Sequence, residues 1–319
     1  MKLKYVGWQV GISYQTPVRE GLSQKYVHDL VTNMKKDGMN LISFMMVSHE
    51  LNDPMHDGYA WPVRNPRLRC YVDKQVINAG KKSEFLRQEI EYAADMGFHV
   101  QLFANNFWWN PKKAKIGYPG IKSLGGNDPA CQGYSHDAQN EDTWQMACDE
   151  AADMLEFYNS PSVASYGWET MGSSDPAWKA TLKKFAGYVR GIRSDIEIWH
   201  HGYYEFSAPR TPEAYREAGI DVVFPVIHNV VTEEQLCLIL DSSKDFPLVL
   251  HVDTRDYPTD NYDVPAKSAD YIERMGEWIA KHRRDNLLGV MFFNEAYTSE
   301  TNKKAVRRVL GAWRNGNMF

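Results

Sequence analysis

The sequence predicts an α/β protein, a single (β/α)8 TIM barrel. Three observations carry that expectation. Strand-like and helix-like segments alternate about eight times, the count at which parallel strands close on themselves. Several strands are nearly continuous in apolar residues, Leu41-Ile42-Ser43-Phe44-Met45-Met46-Val47 most clearly, as strands buried on both faces are. Connections from helix to strand are short, whereas strand-to-helix connections are long after strands two and three, roughly 49–81 and 111–142. In a barrel the longer set builds the ligand-binding face. No linker or composition shift divides the 319 residues, so one domain is expected over 1–319.

Each element has a local reason. Strand one is read over 5–13, followed by a helix that Ser23 caps and Gly38 stops, with Val27, Leu30, Val31 and Met34 on one face. After strand two, Ser83 is expected to cap a helix carrying Leu86, Ile90, Ala93 and Ala94, closed by Gly97. Strand three covers 98–104, and its helix is expected from Thr143 with Met146, Ala147, Ala151, Met154 and Leu155. Strand four, 163–168, ends beside Glu169; Asp175 and Pro176 then signal a helix start. Strand five is read over 196–201, and Thr211-Pro212 opens a short helix. Strand six covers 221–228, and Thr232 with Gln235 forms a capping box for the next helix. Strand seven is read over 248–253, and Ser268 caps a helix with Ile272, Met275 and Ile279. Strand eight covers 287–293, before a last helix with Val306, Val309, Leu310 and Trp313.

Composition narrows the function classes. The formal net charge of -5 supplies no basic excess to hold a polyanion, so nucleic acid is not an expected partner. No run of about 18 apolar residues signals a membrane span. Strand-like sequence starts at Tyr5 with no signal peptide in front, which favours the cytoplasm, although a chain whose signal had been removed would read the same. The 4 Cys form no Cys-x-x-Cys pair, so neither a zinc ribbon nor a disulfide framework is indicated. Oligomeric state is not readable. Aromatic residues make up 13% of the chain, including 10 Trp and 18 Tyr; many serve the core, and flat rings also suit the faces of sugars.

Polar residues recur where the strands stop. Candidates for catalysis are Glu169, Asp253 and Glu295. Candidates for substrate contact are Trp8, Gln9, Asn105, Trp109, Trp168, His201, Tyr203, His228, His251, Arg255 and Asn294. Strand parity puts Val249, His251 and Asp253 on one face, while an Asp253–Arg255 pair is an equally good reading of that carboxylate. Arg64, Arg67 and Arg69 are read as staples of a long loop before contacts to an anionic sugar. No glycine-rich dinucleotide or phosphate loop, nucleophile elbow or His-x-His metal motif is present. Carboxylates among Trp, Tyr, His, Asn and Arg remain. That is the inventory for cleaving a glycosidic bond, in which one carboxyl donates a proton to the leaving oxygen and an ionised one attacks or activates water.

In these respects the chain resembles the (β/α)8-barrel glycoside hydrolases as a broad group. The resemblance implies a Glu acid/base at the end of strand four, where Glu169 stands after Trp168 instead of the usual Asn. It implies a Glu nucleophile at the end of strand seven, where this chain has Asp253. The Asn-Glu pair falls at strand eight, as Asn294-Glu295. An oligosaccharide or glycoside substrate is implied, with no cofactor and no metal. Two other classes fit the same barrel. One is a sugar isomerase or epimerase whose strand-end carboxylates and imidazoles hold a divalent metal. The other is a barrel that binds carbohydrate without turnover.

Overall fold

The computed structural model describes residues 2–11, 23–48, 58–71, 77–104, 106–109, 111–122, 134–135, 137–169, 176–201, 212–243, 245–256 and 265–319. Eight parallel strands form the barrel. They are β1 Tyr5–Gly11, β2 Leu41–Met45, β3 His99–Ala104, β4 Ser165–Glu169, β5 Glu197–His201, β6 in two halves (Val222–Val223 and Val226–Ile227), β7 Leu248–Asp253 and β8 Leu287–Phe293. Each pairs with its sequence neighbours, and β8 returns to β1 through Tyr5↔Gly289 to Trp8↔Phe292. The sheet has no open edge, because β6 joins both β5 and β7.

The helices follow their local signals. Helix α1, Gln24–Lys36, is capped by the Ser23 side chain, which accepts from the Tyr26 N–H, and buries Val27, Val31 and Met34. Gly38 and Gly97 each end a helix at positive φ, 79° and 82°, which costs glycine no Cβ clash. Helix α2 is Ile77–Asp95, so it starts six residues before the expected Ser83 cap. A short helix α3, Pro111–Gly117, lies inside the connection read as irregular; proline suits a first helical position. Helix α4, Glu141–Phe157, starts at an Asn140 cap that accepts from the Thr143 N–H, with Glu141 and Asp142 favourably placed in the first turn. Helices α5 Pro176–Ile192, α6 Pro212–Ala218, α7 Glu233–Ser242, α8 Ala269–His282 and α9 Glu300–Asn315 complete the layer. The capping box of Thr232 and Gln235 and the Ser268 cap form as read. Asp175 and Thr211 lie outside the described residues.

Strand six departs from the expected continuous run. Phe224 and Pro225 separate its halves, since proline has no N–H for a ladder bond. The connections after β2 and β3 run from Met45 to Ile77 and from Ala104 to Glu141, and short two-residue ladders, Val47–Ser48 with Gly58–Tyr59 and Trp108–Trp109 with Tyr134–Ser135, lie in them.

Alternation along each strand divides the core in two. Val6, Trp8, Val10, Ile42, Phe44, Val100, Leu102, Tyr166 and Trp168 face the helices. Tyr5, Leu41, Met45, Phe103, Trp199, Phe224, Val249 and Met291 form a second cluster along the barrel axis. The axis also carries polar groups. Gln9, Ser43, Gln101 and Ser165 lie on adjacent strands in one register layer. The Ser43 hydroxyl bonds the Gln101 carbonyl at 2.7 Å. His99 Nε2 meets Ser165 Oγ at 2.8 Å, and its ring stacks on Trp199 at 5.2 Å.

Burial pushes the His99 imidazole down to about 4, against the opposing pull of Glu197. His99 therefore stays neutral in the folded chain at pH values where the unfolded chain binds a proton. Its contribution to stability is complete above about 6.5 and is lost as pH falls toward 4. Urea unfolding at pH 7, 6 and 5 should show stability declining with acid. His99→Gln should flatten that decline by up to one proton, about 1.4 kcal/mol per pH unit. An unchanged slope in the variant would contradict the buried-neutral assignment.

Candidate active site

The carboxyl ends of the strands bring four functional side chains onto the inner face. Ser165, Gly167 and Glu169 share one side of β4, opposite Tyr166 and Trp168. On β5 the inward set ends in His201, and on β7 it ends in His251 and Asp253. Beyond the second half of β6, His228 reaches Asp253. All are held by strand ends with apolar residues between them and the helices, a rigid mounting for polar groups.

Two polar assemblies result. In the first, Glu169 Oε2 lies 3.3 Å from His201 Nδ1, and His201 Nε2 lies 3.0 Å from His251 Nδ1. Glu169 is only 5% exposed, and His251 is fully buried. Phe103 and Phe224 stand 5.4 and 5.0 Å from the His201 ring, and Phe293 meets the His251 ring edge-on at 4.9 Å. Burial, with the charges of His201 and His228 nearby, pushes the His251 imidazole well below its ordinary value.

The second assembly is centred on Asp253, which is fully buried. Arg255 grips it with Nε at 2.9 Å from Oδ1 and a terminal nitrogen at 2.6 Å from Oδ2. His228 Nδ1 adds a contact of 3.1 Å to Oδ2. Burial alone would raise this carboxyl, but the Arg255 guanidinium and His228 outweigh it and hold it well below the carboxylate range. The guanidinium lies 4.6 Å above the Phe293 ring. Lys267 is buried beside the pair and donates to the carbonyls of His228 and Pro265 at 2.5 Å; burial lowers its ammonium. Asn302 on α9 donates to the carbonyls of Thr254 and Lys267, tying the end of β7 to the segment before α8.

A third network anchors the rim. Glu150 on α4 accepts from Tyr59 at 2.6 Å and from Asn106 at 2.9 Å, and Tyr166 donates to Asn106 at 2.6 Å. Asp153 accepts from the Trp61 indole and from the Arg64 and Asn65 N–H groups. Arg67 donates to the Gly117 carbonyl and to Asp142 while lying 4.0 Å over the Tyr118 ring. Arg64 pairs with Glu156, and Arg69 bonds the Val63 carbonyl. The described arginine contacts therefore staple the connection after β2 to α3, to α4 and to its own backbone.

The other candidates are distributed unevenly. Glu295 is engaged by the helices: its carboxylate, in a short helical turn after β8, takes hydrogen bonds from Tyr26 on α1 and from Lys303 on α9, the latter at 2.7 Å. Asn294 caps that turn by accepting from the Ala296 N–H at 3.1 Å. Trp168 faces outward, 5.2 Å from Phe185 on α5, because adjacent residues on a strand point to opposite faces; its indole and Glu169 cannot share a wall. Trp8 likewise faces outward, against Phe292 at 5.4 Å. Gln9 does face the axis, fully buried, and its amide finds no partner among the described residues. Trp109 has a described backbone only, and Asn105 and Tyr203 lie outside the described residues. Among the described residues no three or more His, Cys, Asp or Glu side chains are placed to share one cation. No described helix is long and apolar enough to cross a membrane. Sequence reading missed Phe103, Phe224 and Phe293 as the aromatic surroundings, and Lys267. Parity points to the three phenylalanines, while Lys267 precedes the Ser268 cap with no sequence mark of burial.

With this geometry in view, the solved structures give the context. A family 20 exo-β-N-acetylglucosaminidase from Vibrio harveyi, in complex with N-acetylglucosamine, is similar over 97% of this chain and 54% of its own, with a TM-score of 0.57 and 11% identity. An α-amylase from Geobacillus thermoleovorans, complexed with acarbose, is similar over 98% and 79%, with a TM-score of 0.60 and 11% identity. A β-galactosidase from the haloarchaeon Halorubrum lacusprofundi is similar over 96% and 58%, with a TM-score of 0.62 and 13% identity. The chain resembles the (β/α)8-barrel glycoside hydrolases as a broad group. At these identities the likeness shows the fold, and the chain spans about half the length of the first neighbour. No protein-family model matches, and no curated protein matches in sequence.

The Asp253–Arg255 pair makes its own prediction. A buried charge left alone costs far more than the pair contributes. Arg255→Met should therefore destabilise the fold by about 3–5 kcal/mol in urea titration, and adding Asp253→Leu should recover most of the loss. Equal and additive losses would mean that the two side chains are not coupled.

Proposed function

We propose that the chain is a glycoside hydrolase that cleaves an oligosaccharide or glycoside with two carboxylates, residues 1–319 acting as one catalytic barrel. In this reading Glu169 is the general acid and Asp253 is its ionised partner. The observation that carries it is the contrast between two inward carboxylates at the ends of β4 and β7: Glu169 faces an imidazole, while Asp253 is held ionised by a guanidinium. Opposite environments for two carboxyl groups are what acid and base roles require. The likeness to barrels that are glycoside hydrolases, two of them crystallised with N-acetylglucosamine or acarbose, supports a sugar ligand.

This reading divides the roles differently from the sequence expectation. Glu295, engaged by Tyr26 and Lys303, is left out of the catalytic pair. Both Asp253 oxygens are engaged by Arg255 and His228, which suits a base that activates water better than covalent attack on the sugar. Arg255 and His228 then serve as the substrate-facing donors of that assembly. The wall is assigned to Phe224 and Phe293 in place of Trp8 and Trp168, whose rings face the helices.

The test uses leaving-group dependence. Glu169→Gln keeps the shape and removes the proton donor. Turnover should fall by about 10²–10⁴-fold on glycosides with alkyl or sugar leaving groups, and far less on an activated aryl glycoside that needs little protonation. Equal losses on both substrates, or full activity on the natural class, would remove Glu169 from the acid role.

A further inference from the structure

We propose that the Gln9 and Gln101 amides form the floor of a dead-end pocket, which takes two adjacent hydroxyls of a neutral, chain-terminal sugar. The inference rests on the hydrolase reading of Glu169 and Asp253. It adds which part of the substrate enters the barrel and what holds it there.

The argument starts from amides that the protein leaves unsatisfied. Gln9 is fully buried, and neither its Oε1 nor its Nε2 meets a hydrogen-bond partner among the described residues. Gln101 is also fully buried; its Oε1 accepts from Ser43 at 2.7 Å, while its Nε2 is unpartnered. Buried polar groups are almost always paired, and leaving one unpaired destabilises a fold. Two such amides in one register layer, joined through Ser43, mark a place built for hydrogen bonds that the chain itself does not make.

The layer lies between the two proposed catalytic strands. On one side Trp8 pairs with Phe292, so Gln9 follows to the level of Phe293, the partner of Asp253. On the other side the Gln101 amide stands against Gly167, two residues before Glu169 on the same face of β4. A Cβ at Gly167 would come within 3.0–3.1 Å of that amide, so glycine leaves the space the amide fills. Toward the amino-terminal ends of the strands the rings of Tyr5, His99 and Trp199 meet at 4.8–5.2 Å and close the axis. A group reaching the floor therefore comes from the mouth and goes no further, which suits the end of a chain. Met45 stands over the layer, two residues beyond Ser43 and paired with Gly11, which has no side chain to cover Gln9. Sugar entry displaces Met45, whose unbranched thioether repacks at low cost.

Valence selects the ligand. Gln9 offers two N–H groups and a carbonyl, and Gln101 offers two more N–H groups. This donor-rich, uncharged set cannot satisfy an ammonium. A carboxylate would lose its hydration with no cation in the layer, and it has no hydrogen for the Gln9 carbonyl. Two hydroxyls supply four lone pairs for the four N–H groups and a hydrogen for that carbonyl.

Calorimetric titration of the full chain with D-glucose, D-galactose, D-mannose and D-xylose, and with glucuronate and glucosamine, reads the floor without turnover. At least one neutral sugar should bind, more tightly than either charged one. Gln9→Met should weaken that binding about tenfold or more, as the loss of two ordinary hydrogen bonds would. Its urea midpoint without sugar should stay level or rise, because an unpartnered buried amide is gone. Monodeoxy forms of the bound sugar should lose affinity for the wild-type chain at two adjacent positions, a readout that needs no variant. An oligosaccharide blocked at both ends should resist cleavage. Binding of no sugar in the panel, unchanged affinity in Gln9→Met, or internal cutting of the blocked chain would overturn the proposal. Sugar binding that depends on Gln9 in a chain that cleaves no glycoside would uphold the floor and sink the hydrolase reading. Glycoside cleavage by a chain whose Gln9→Met variant binds sugar as tightly as the wild type would do the reverse.

Discussion

Everything at the candidate site depends on strand parity in a closed sheet. Once β8 pairs with β1 and β6 with both neighbours, no strand can slip by one residue without exchanging its entire inner and outer sets. That constraint sends Glu169, His201, His251 and Asp253 to the inner face and sends Trp168, His200 and Val252 to the helices. A residue's chemical type matters only after this sorting. Trp168 and Glu169 are adjacent in sequence, yet the indole packs on Phe185 while the carboxylate reaches His201.

Polar groups on the inner face are costly, and the molecule offsets the cost in three ways. Asp253 and Arg255 cancel each other's charge at hydrogen-bond distance. His99, His228 and His251 are pushed by burial toward their neutral forms. Ser43 bonds the Gln101 side-chain oxygen, and His99 meets Ser165. The rim gains its rigidity from outside the barrel, where Glu150 and Asp153 on α4 gather donors from both the β2 and the β3 connections.

Much of the fold was legible because periodicity and capping are local. Ser23, Thr232 and Ser268 cap the helices that their neighbours suggest, and apolar runs mark the strands. The failures have physical causes. Ser83 has the right chemistry for a cap, but helix α2 already starts at Ile77. Pro225 interrupts a strand whose apolar pattern looks continuous. At the strand ends, the inward setting of Glu169 and Asp253 follows from parity and position, whereas Glu295 follows its strand in a turn, where alternation no longer says which way a side chain points. The Glu150 network was also illegible: its bonded pairs lie up to 91 positions apart, and only tertiary packing brings them together.

The central claim is hydrolysis of a sugar bond without a required metal. The most direct measurement is the release of new reducing ends by the wild-type chain from a panel of oligosaccharides and simple glycosides, with and without a chelator. The account predicts cleavage of at least one member of the panel at a rate the chelator leaves unchanged. No cleavage of any glycoside would contradict it, as would sugar conversion that stops with chelator and returns with added divalent metal.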